Sequence, residues 1–381
     1  MKDERFGDYA AFWRAAEDAA AAVQFPPPAL YPAYRRQAAM IFSQAYTQLF
    51  ATNPARPNWV PHTGVLFPWG APNPDTIYSF APVESGGVYQ ITGRRGSEDI
   101  TSIMQRRNGA NTGEVHGAPL GEIDLLAEPV NDQQVYEFLL SRERPAGHAG
   151  RWHALHPEAT GLTLRRVISH SAQRDGDCAI FRLDPAPPED LAAREAKMLR
   201  FATAMNEFLL RYVQRLRERG LVNRLEPESF KENGGLKDQL YYQGLFEIGP
   251  DEALILESAL PRNPRYWSVQ VTDPFFSAFD FITHQSSLNG HEAQLDADGR
   301  VRFVVSTRDP GVPNWLDTAG WREGAVMWRW HAPEFPQPVV RRVKFAELRA
   351  HLPAPTPVLD ATARQAALQR RAELFQFRQR W

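Results

Sequence analysis

The sequence predicts an α+β protein that is mostly β, with two antiparallel β units and helices at its start, middle and end. Three observations carry that reading. Apolar runs are short and punctuated by Gly, Pro and Asn in two long stretches, about 57–185 and 250–345, the texture of strands joined by turns. Composition agrees, with 31 prolines and 11% aromatic residues. Helical 3–4 periodicity is confined to the segments outside those stretches. A chain of 381 residues has room for two or three structural units.

Residues 1–55 form an N-terminal helical segment. Phe12, Trp13, Ala16, Ala20 and Val23 recur at helical spacing until Pro26-Pro27-Pro28 ends the run. A second helix is striped by Tyr34, Ala38, Ile41, Ala45 and Leu49; Pro32 suits its first turn and Asn53-Pro54 stops it. Residues 56–186 form the first β unit. Its strands include 87–93, bounded by glycines, 162–168 and 178–183, and Asn108-Gly109 is a turn signal. Residues 187–248 are a helical linker. Its helix, 188–219, opens on Pro188, Glu189 and Asp190 and carries Leu191, Met198, Ala202, Met205, Leu209, Tyr212 and Leu216 on one face. Arg215, Arg217 and Arg219 occupy its last turns, and Gly220 suits the left-handed position beyond. Residues 249–345 form the second β unit, with strands at 254–260, 266–272, 301–306 and 325–330 and turns at Asn289-Gly290 and Asp298-Gly299. In 346–381, Asp360 caps a final Arg-rich helix, expected to be solvated on one side. The two β stretches read as a degenerate repeat, in which Tyr89-Gln90-Ile91 resembles Tyr266-Trp267-Ser268-Val269-Gln270.

Several function classes are disfavoured by composition. With 43 basic and 45 acidic residues the net charge is −2, which removes the electrostatic case for nucleic acid or a polybasic membrane anchor. One cysteine, Cys178, allows no internal disulfide and no cysteine-only metal site. No run of about 20 apolar residues predicts a membrane helix. The charged start, Met1-Lys2-Asp3-Glu4-Arg5, has no secretory pattern, so a cytoplasmic location is expected. Phosphate-loop, dinucleotide, nucleophile-elbow and zincin motifs are missing. Among ten histidines the one tight pair is His153 and His156, in an Arg-flanked loop-like stretch, so neither metal nor cofactor is expected.

Two segments concentrate unusual chemistry. The first, 67–78, is a proline-stiffened loop with Trp69, Asn73, Asp75 and Tyr78. Asn73 and Asp75 can cap turns, or Asp75 and Tyr78 can stand at a pocket wall as acid or base. The second, 266–330, interleaves aromatics with Asp, His, Asn and Arg on turn-rich backbone, the composition of a pocket or of a stapled sandwich end. Asp75, Asp309 and Asp317 are the candidate acids and bases, with His284 and Tyr78 assisting. Trp69, Asn73, Trp267, Phe276, Arg308, Asn314 and Trp315 are the candidate substrate contacts. Asp309 follows a strand end where Pro310 and Pro313 limit the backbone. Segments 67–78 and 306–318 are expected to meet around one pocket.

Asn73-Pro74-Asp75-Thr76-Ile77-Tyr78, followed by Gly87-Val88-Tyr89-Gln90-Ile91-Thr92-Gly93, resembles the first half of bacterial DUF1254/DUF1214 proteins. The second half resembles DUF1214 more closely, through Tyr266-Trp267-Ser268-Val269-Gln270, Asn289-Gly290, Asp298-Gly299 and the run from Arg308 through Asp309-Pro310-Gly311-Val312-Pro313-Asn314-Trp315-Leu316-Asp317 to Gly320. In that family the Ala-Gly is often followed by His, where this chain has Trp321. The resemblance implies two jelly-roll-like β-sandwich units, DUF1254-like over 56–186 and DUF1214-like over 249–345. It implies no catalytic residues.

The expected function is that of a metal-free acid/base enzyme acting on an apolar small molecule: a terpenoid, steroid or aromatic compound. Lyase, isomerase or cyclase, and hydrolase chemistry are the candidate types. The alternative is a non-catalytic protein that binds a small molecule or carbohydrate, or builds an oligomeric assembly, as jelly rolls often do. The expected partner is a hydrophobic substrate, with a homo-oligomer allowed and neither nucleic acid nor membrane.

Overall fold

The alanine-rich start folds into α1 (Tyr9–Ala22), which buries Phe12, Ala16 and Ala20 as its spacing requires. Proline at the first turn opens α2 (Tyr31–Ala51). Asp190 accepts a hydrogen bond from the Ala193 N–H and so caps α3 (Leu191–Glu218), with Gly220 at φ +72° beyond its end. Asp360 caps α4 (Ala361–Phe377) in the same way. The structure, a computed structural model, describes residues 9–22, 26–107, 115, 119–230, 235–236 and 238–378. Val23 and the Asn108-Gly109 turn lie outside the described residues.

The chain is mostly β, and its strands repeat. The first unit contains β1 (Val60–Pro61), β2 (Thr76–Pro82), β3 (Tyr89–Arg94), β4 (Ile100–Arg106), β5 (Gly121–Asp124), β6 (Val135–Ser141), β7 (Trp152–Ala154), β8 (Gly161–Val167) and β9 (Ala179–Arg182). The second contains β10 (Glu226–Glu228), β11 (Gln239–Glu247), β12 (Glu252–Ser258), β13 (Tyr266–Thr272), β14 (Ser287–Asn289), β15 (Val301–Ser306), β16 (Trp315–Asp317), β17 (Glu323–His331) and β18 (Val339–Lys344). The order β1-β2-β8-β4-β5 is answered by β10-β11-β17-β13-β14, and β7-β6-β3-β9 by β16-β15-β12-β18. Even the parallel pairing recurs, β6 with β7 and β15 with β16. The resemblance between Tyr89-Gln90-Ile91 and the start of β13 is out of step with this repeat. Tyr89 lies on β3, whose counterpart is β12, and Tyr266 lies on β13, whose counterpart is β4.

Each unit is sandwich-like, with its core between its two sheets. Leu162 and Leu164 of β8 face Phe138 and Ile91, and Val326, Trp328 and Trp330 of β17 face Phe303 and Leu256. Alternation sends Thr163 and Arg165, and likewise Met327 and Arg329, to the opposite faces of their strands. Those opposite faces meet the other unit and the helices. Tyr266 packs against Ile100 and Val167 across the junction, and Leu210, Val213 and Leu216 of α3 pack on Leu245, Ala325 and Met327.

As expected, α4 is solvated on one side, where Gln365, Gln369, Arg370, Glu373 and Gln376 are exposed, but the other arginines of this segment turn inward. Arg364, Arg371 and Arg378, spaced by seven residues, are all buried. Each faces an acid: Asp309 at 2.9 Å, Glu292 at 2.9 Å and Asp75 at 3.9 Å. These acids lie far away in sequence and neutralise the three buried arginines within the fold. No described helix is long and apolar enough to cross a membrane.

Candidate functional site

A cavity of about 200 Å³ lies where the two units and α3 meet. The first unit contributes Tyr78 from β2, Arg106 from β4, and Thr163 and Arg165 from β8. The second contributes Tyr241 from β11 and Met327 and Arg329 from β17. Met205, Phe208, Leu209 and Tyr212 of α3 form an apolar side, and Phe230, Phe276, Trp69 and His62 also line it. Tyr212 stands 5.7 Å from Phe276, and Phe230 packs edge-on to Tyr241 at 4.8 Å.

The repeat duplicates one feature of this site. Tyr78 is the cross-strand partner of Arg165, and Tyr241 that of Arg329. Each guanidinium lies over its tyrosine ring, at 6.0 Å and 5.8 Å from the centroid. Strands β2 and β8 correspond to β11 and β17, so both units present the same Tyr/Arg pair to the shared cavity.

A buried hydrogen-bond chain sets the state of His62. The Trp69 indole N–H, which can only donate, donates to Gln44 Oε1 at 3.1 Å. That fixes the Gln44 amide, whose NH2 group therefore donates to His62 Nδ1; the Gln48 amide approaches the same atom at 3.1 Å. Nδ1 thus accepts, and the ring proton sits on Nε2. Burial, and then the charges of Arg106 and Arg165, push the His62 pKa down to about 3, so the ring is neutral at physiological pH. Burial and Arg165 pull Arg106 down to about 10, which leaves it charged. Burial raises the phenols of Tyr212 and Tyr241, keeping both protonated. The cavity therefore presents guanidinium, phenol and imidazole N–H or O–H donors, and none of the described residues lining it is acidic.

Of the residues singled out from the sequence, Trp69, Tyr78 and Phe276 line this cavity. Phe276 does so with φ at +61°, a left-handed conformation costly for an aromatic residue. Asn73 and Asp75 lie in a buried network between the units. Tyr266 donates to Asp75 Oδ2 at 2.7 Å, Asn289 donates to the same oxygen at 3.0 Å, and Asn73 donates to the Tyr266 hydroxyl at 2.8 Å. Trp267 belongs to the core of the second unit, 5.5 Å from Trp330. Segment 306–318 does not reach the cavity. Asp309 holds Arg364 through both oxygens, Asn314 donates to the carbonyls of Gln294 and Arg302, and Trp315 lies under Arg364 at 5.1 Å. Arg308 is exposed, paired with Asp251 at 3.1 Å and stacked on Phe345 at 4.4 Å. His284 and Asp317 do come together, Nδ1 to Oδ2 at 2.8 Å, outside the cavity. Among the described residues no three His, Cys, Asp or Glu side chains converge to hold a metal ion.

Arg106, Arg165, Arg329, His62, Tyr212 and Tyr241 were not anticipated as site residues. A signal was present: Leu164-Arg165-Arg166-Val167 and Trp328-Arg329-Trp330 put arginines inside strands otherwise built for burial. A charge in such a strand needs a partner or a ligand on its face of the sheet.

Residues 252–335 match the family DUF1214, described as "protein of unknown function". The match lies within the second β unit. The chain is also similar to an uncharacterized protein from Burkholderia cenocepacia of known crystal structure. The two are 26% identical, with a TM-score of 0.79 over 89% of this chain and 97% of the other. A Vibrio parahaemolyticus protein is 11% identical over 81% of this chain and 98% of its own, with a TM-score of 0.47, too low to bear on the fold. No curated protein matches the chain.

Proposed function

We propose that the protein takes a small molecule with an apolar body into the cavity between its β units and acts on it by metal-free chemistry of the lyase or isomerase type. The observation that carries this reading is the lining itself: aromatic and aliphatic walls with a few convergent polar groups at a junction of units, the usual make-up of a small-molecule site. The chemistry is assigned to donors rather than to carboxylates. Tyr78 and Tyr241, with the neutral His62 Nε2–H, would stabilise negative charge developing on a substrate oxygen and supply its proton. Asp75 and Asp309 have no part in it, since their oxygens are committed to the unit junction and to α4.

A second reading, binding without turnover, is favoured by the lack of an acid among the described lining residues, which leaves no carboxylate to remove a proton. In both readings we infer a cytoplasmic protein, as its single cysteine suggests, and regard 56–186 as DUF1254-like on the strength of its Asn73-to-Tyr78 run. The test incubates the purified full chain with a panel of apolar small molecules. Binding is read as a rise in melting temperature and turnover by mass spectrometry. Turnover that falls at least about 100-fold in folded Tyr78→Phe or Tyr241→Phe supports the enzyme. Binding with every ligand recovered intact supports the second reading, and no binding at all overturns both.

A further inference from the structure

We propose that the small molecule held in this cavity carries an anionic group, and that its class is a small aromatic carboxylate gripped by Arg165 of the first unit and Arg329 of the second. The proposal rests on the reading that the cavity is the working site. Arg329 is buried, yet its hydrogen bonds go to uncharged groups, Gln270 Oε1 at 2.8 Å and the Ala71 carbonyl at 2.7 Å. It is thus held in place with its charge still available to a ligand. A guanidinium fork matches a carboxylate in two parallel hydrogen bonds, which a neutral ligand does not offer.

The surroundings point the same way. Arg106 and Arg165 lie close enough that Arg165 lowers the Arg106 pKa, and both lower that of His62. Three guanidinium groups, of Arg106, Arg165 and Arg329, line the cavity, and none of its described lining residues is acidic. The repeat places an arginine on each side of the site, so a bound anion faces a cation from either unit. The remaining polar groups donate hydrogen bonds, as a carboxylate requires. Size limits the apolar part. An apolar cavity of roughly 150 Å³ admits benzene, so about 200 Å³ here suits one ring with a charged substituent.

The test is titration calorimetry on the full chain with benzoate, phenylacetate and cinnamate, each against its own amide. The amide keeps the shape and removes the charge. The expected result is that at least one acid binds about 10-fold or more tightly than its amide, with the preference weakening as salt rises. In Arg165→Gln and Arg329→Gln that preference is expected to shrink toward equality, and in Arg165→Lys to survive in part. Circular dichroism and melting curves report whether each variant folds. If a glutamine variant fails to fold, the acid-to-amide ratio of the unmodified protein decides alone. Acids and amides binding equally would overturn the anionic assignment and leave the working-site reading standing. Neither series binding would overturn both.

Discussion

Asp75 of the first β unit accepts a 2.7 Å hydrogen bond from the hydroxyl of Tyr266 in the second. The two residues are 191 positions apart and both are buried. The same carboxylate oxygen accepts from Asn289, and Arg378 approaches the other oxygen. One acid therefore joins the first unit, two strands of the second and the end of α4. Tyr266→Phe is expected to destabilise the protein by about 1–2 kcal/mol, since it removes one donor to a buried carboxylate. Ligand binding in the cavity, which Tyr266 does not line, should be unchanged. Urea unfolding measures the first effect; an unaltered midpoint would remove the pair from the forces holding the units together.

Asp309 and Arg364 give a second prediction, on the anchoring of α4. The arginine is buried and the acid one-third exposed, so losing the acid costs less than for a fully buried pair: about 2–3 kcal/mol for Asp309→Asn. Arg364→Met alone also loses its bonds to Gln285 and the Val312 carbonyl. The double variant should be more stable than the sum of the two losses predicts, because the second change removes a charge already left alone. Strict additivity would show that the two groups act independently.

Asp273 predicts a pH dependence. Burial raises its pKa to about 6, against the N–H groups of Ser277 and Phe275 and the charge of Arg36, which pull it down. The folded protein holds this proton more tightly than the unfolded chain, whose ordinary value is 3.8. Its contribution to stability is complete below 3.8 and is lost as pH rises through about 6. Asp273→Asn keeps an acceptor oxygen for both N–H groups and removes the buried charge. The variant should be as stable as the parent or more so at pH 7, and should lose this part of the pH profile. A variant much less stable at pH 7 would show that the ionised form is the one the loop needs.

His62 predicts the opposite slope in an overlapping range. Its folded value of about 3 lies below the ordinary 6.5, so its contribution is complete above 6.5 and is lost as pH falls toward 3. His62→Gln should therefore flatten the drop in melting temperature between pH 7 and pH 4. An unchanged drop would mean that other groups carry it.

Much of the fold was legible locally. The helix caps at Asp190 and Asp360, the left-handed Gly220 and the strands at 266–272 and 301–306 follow from spacing and turn chemistry over a few residues. Trp69, Tyr78 and Phe276 could be marked as pocket residues because aromatics on proline-stiffened loops are conspicuous. The partners of the acids could not be read locally. Asp75 and Asp309 sit in motifs dense enough to suggest chemistry, but the groups that occupy their oxygens, Tyr266 and Arg364, lie far along the chain.

What the sequence determined by itself is the class of each element, since propensity, periodicity and capping act within one or two turns. What only the tertiary structure decided is which faces meet. Pairing β2 with β8 and β11 with β17 turns four scattered residues into two facing Tyr/Arg pairs, and docking the C-terminal segment brings Arg364, Arg371 and Arg378 against distant acids as buried counter-ions. A charged side chain takes its role from the partner that desolvates or neutralises it, and that partner is chosen by packing between residues more than 50 positions apart.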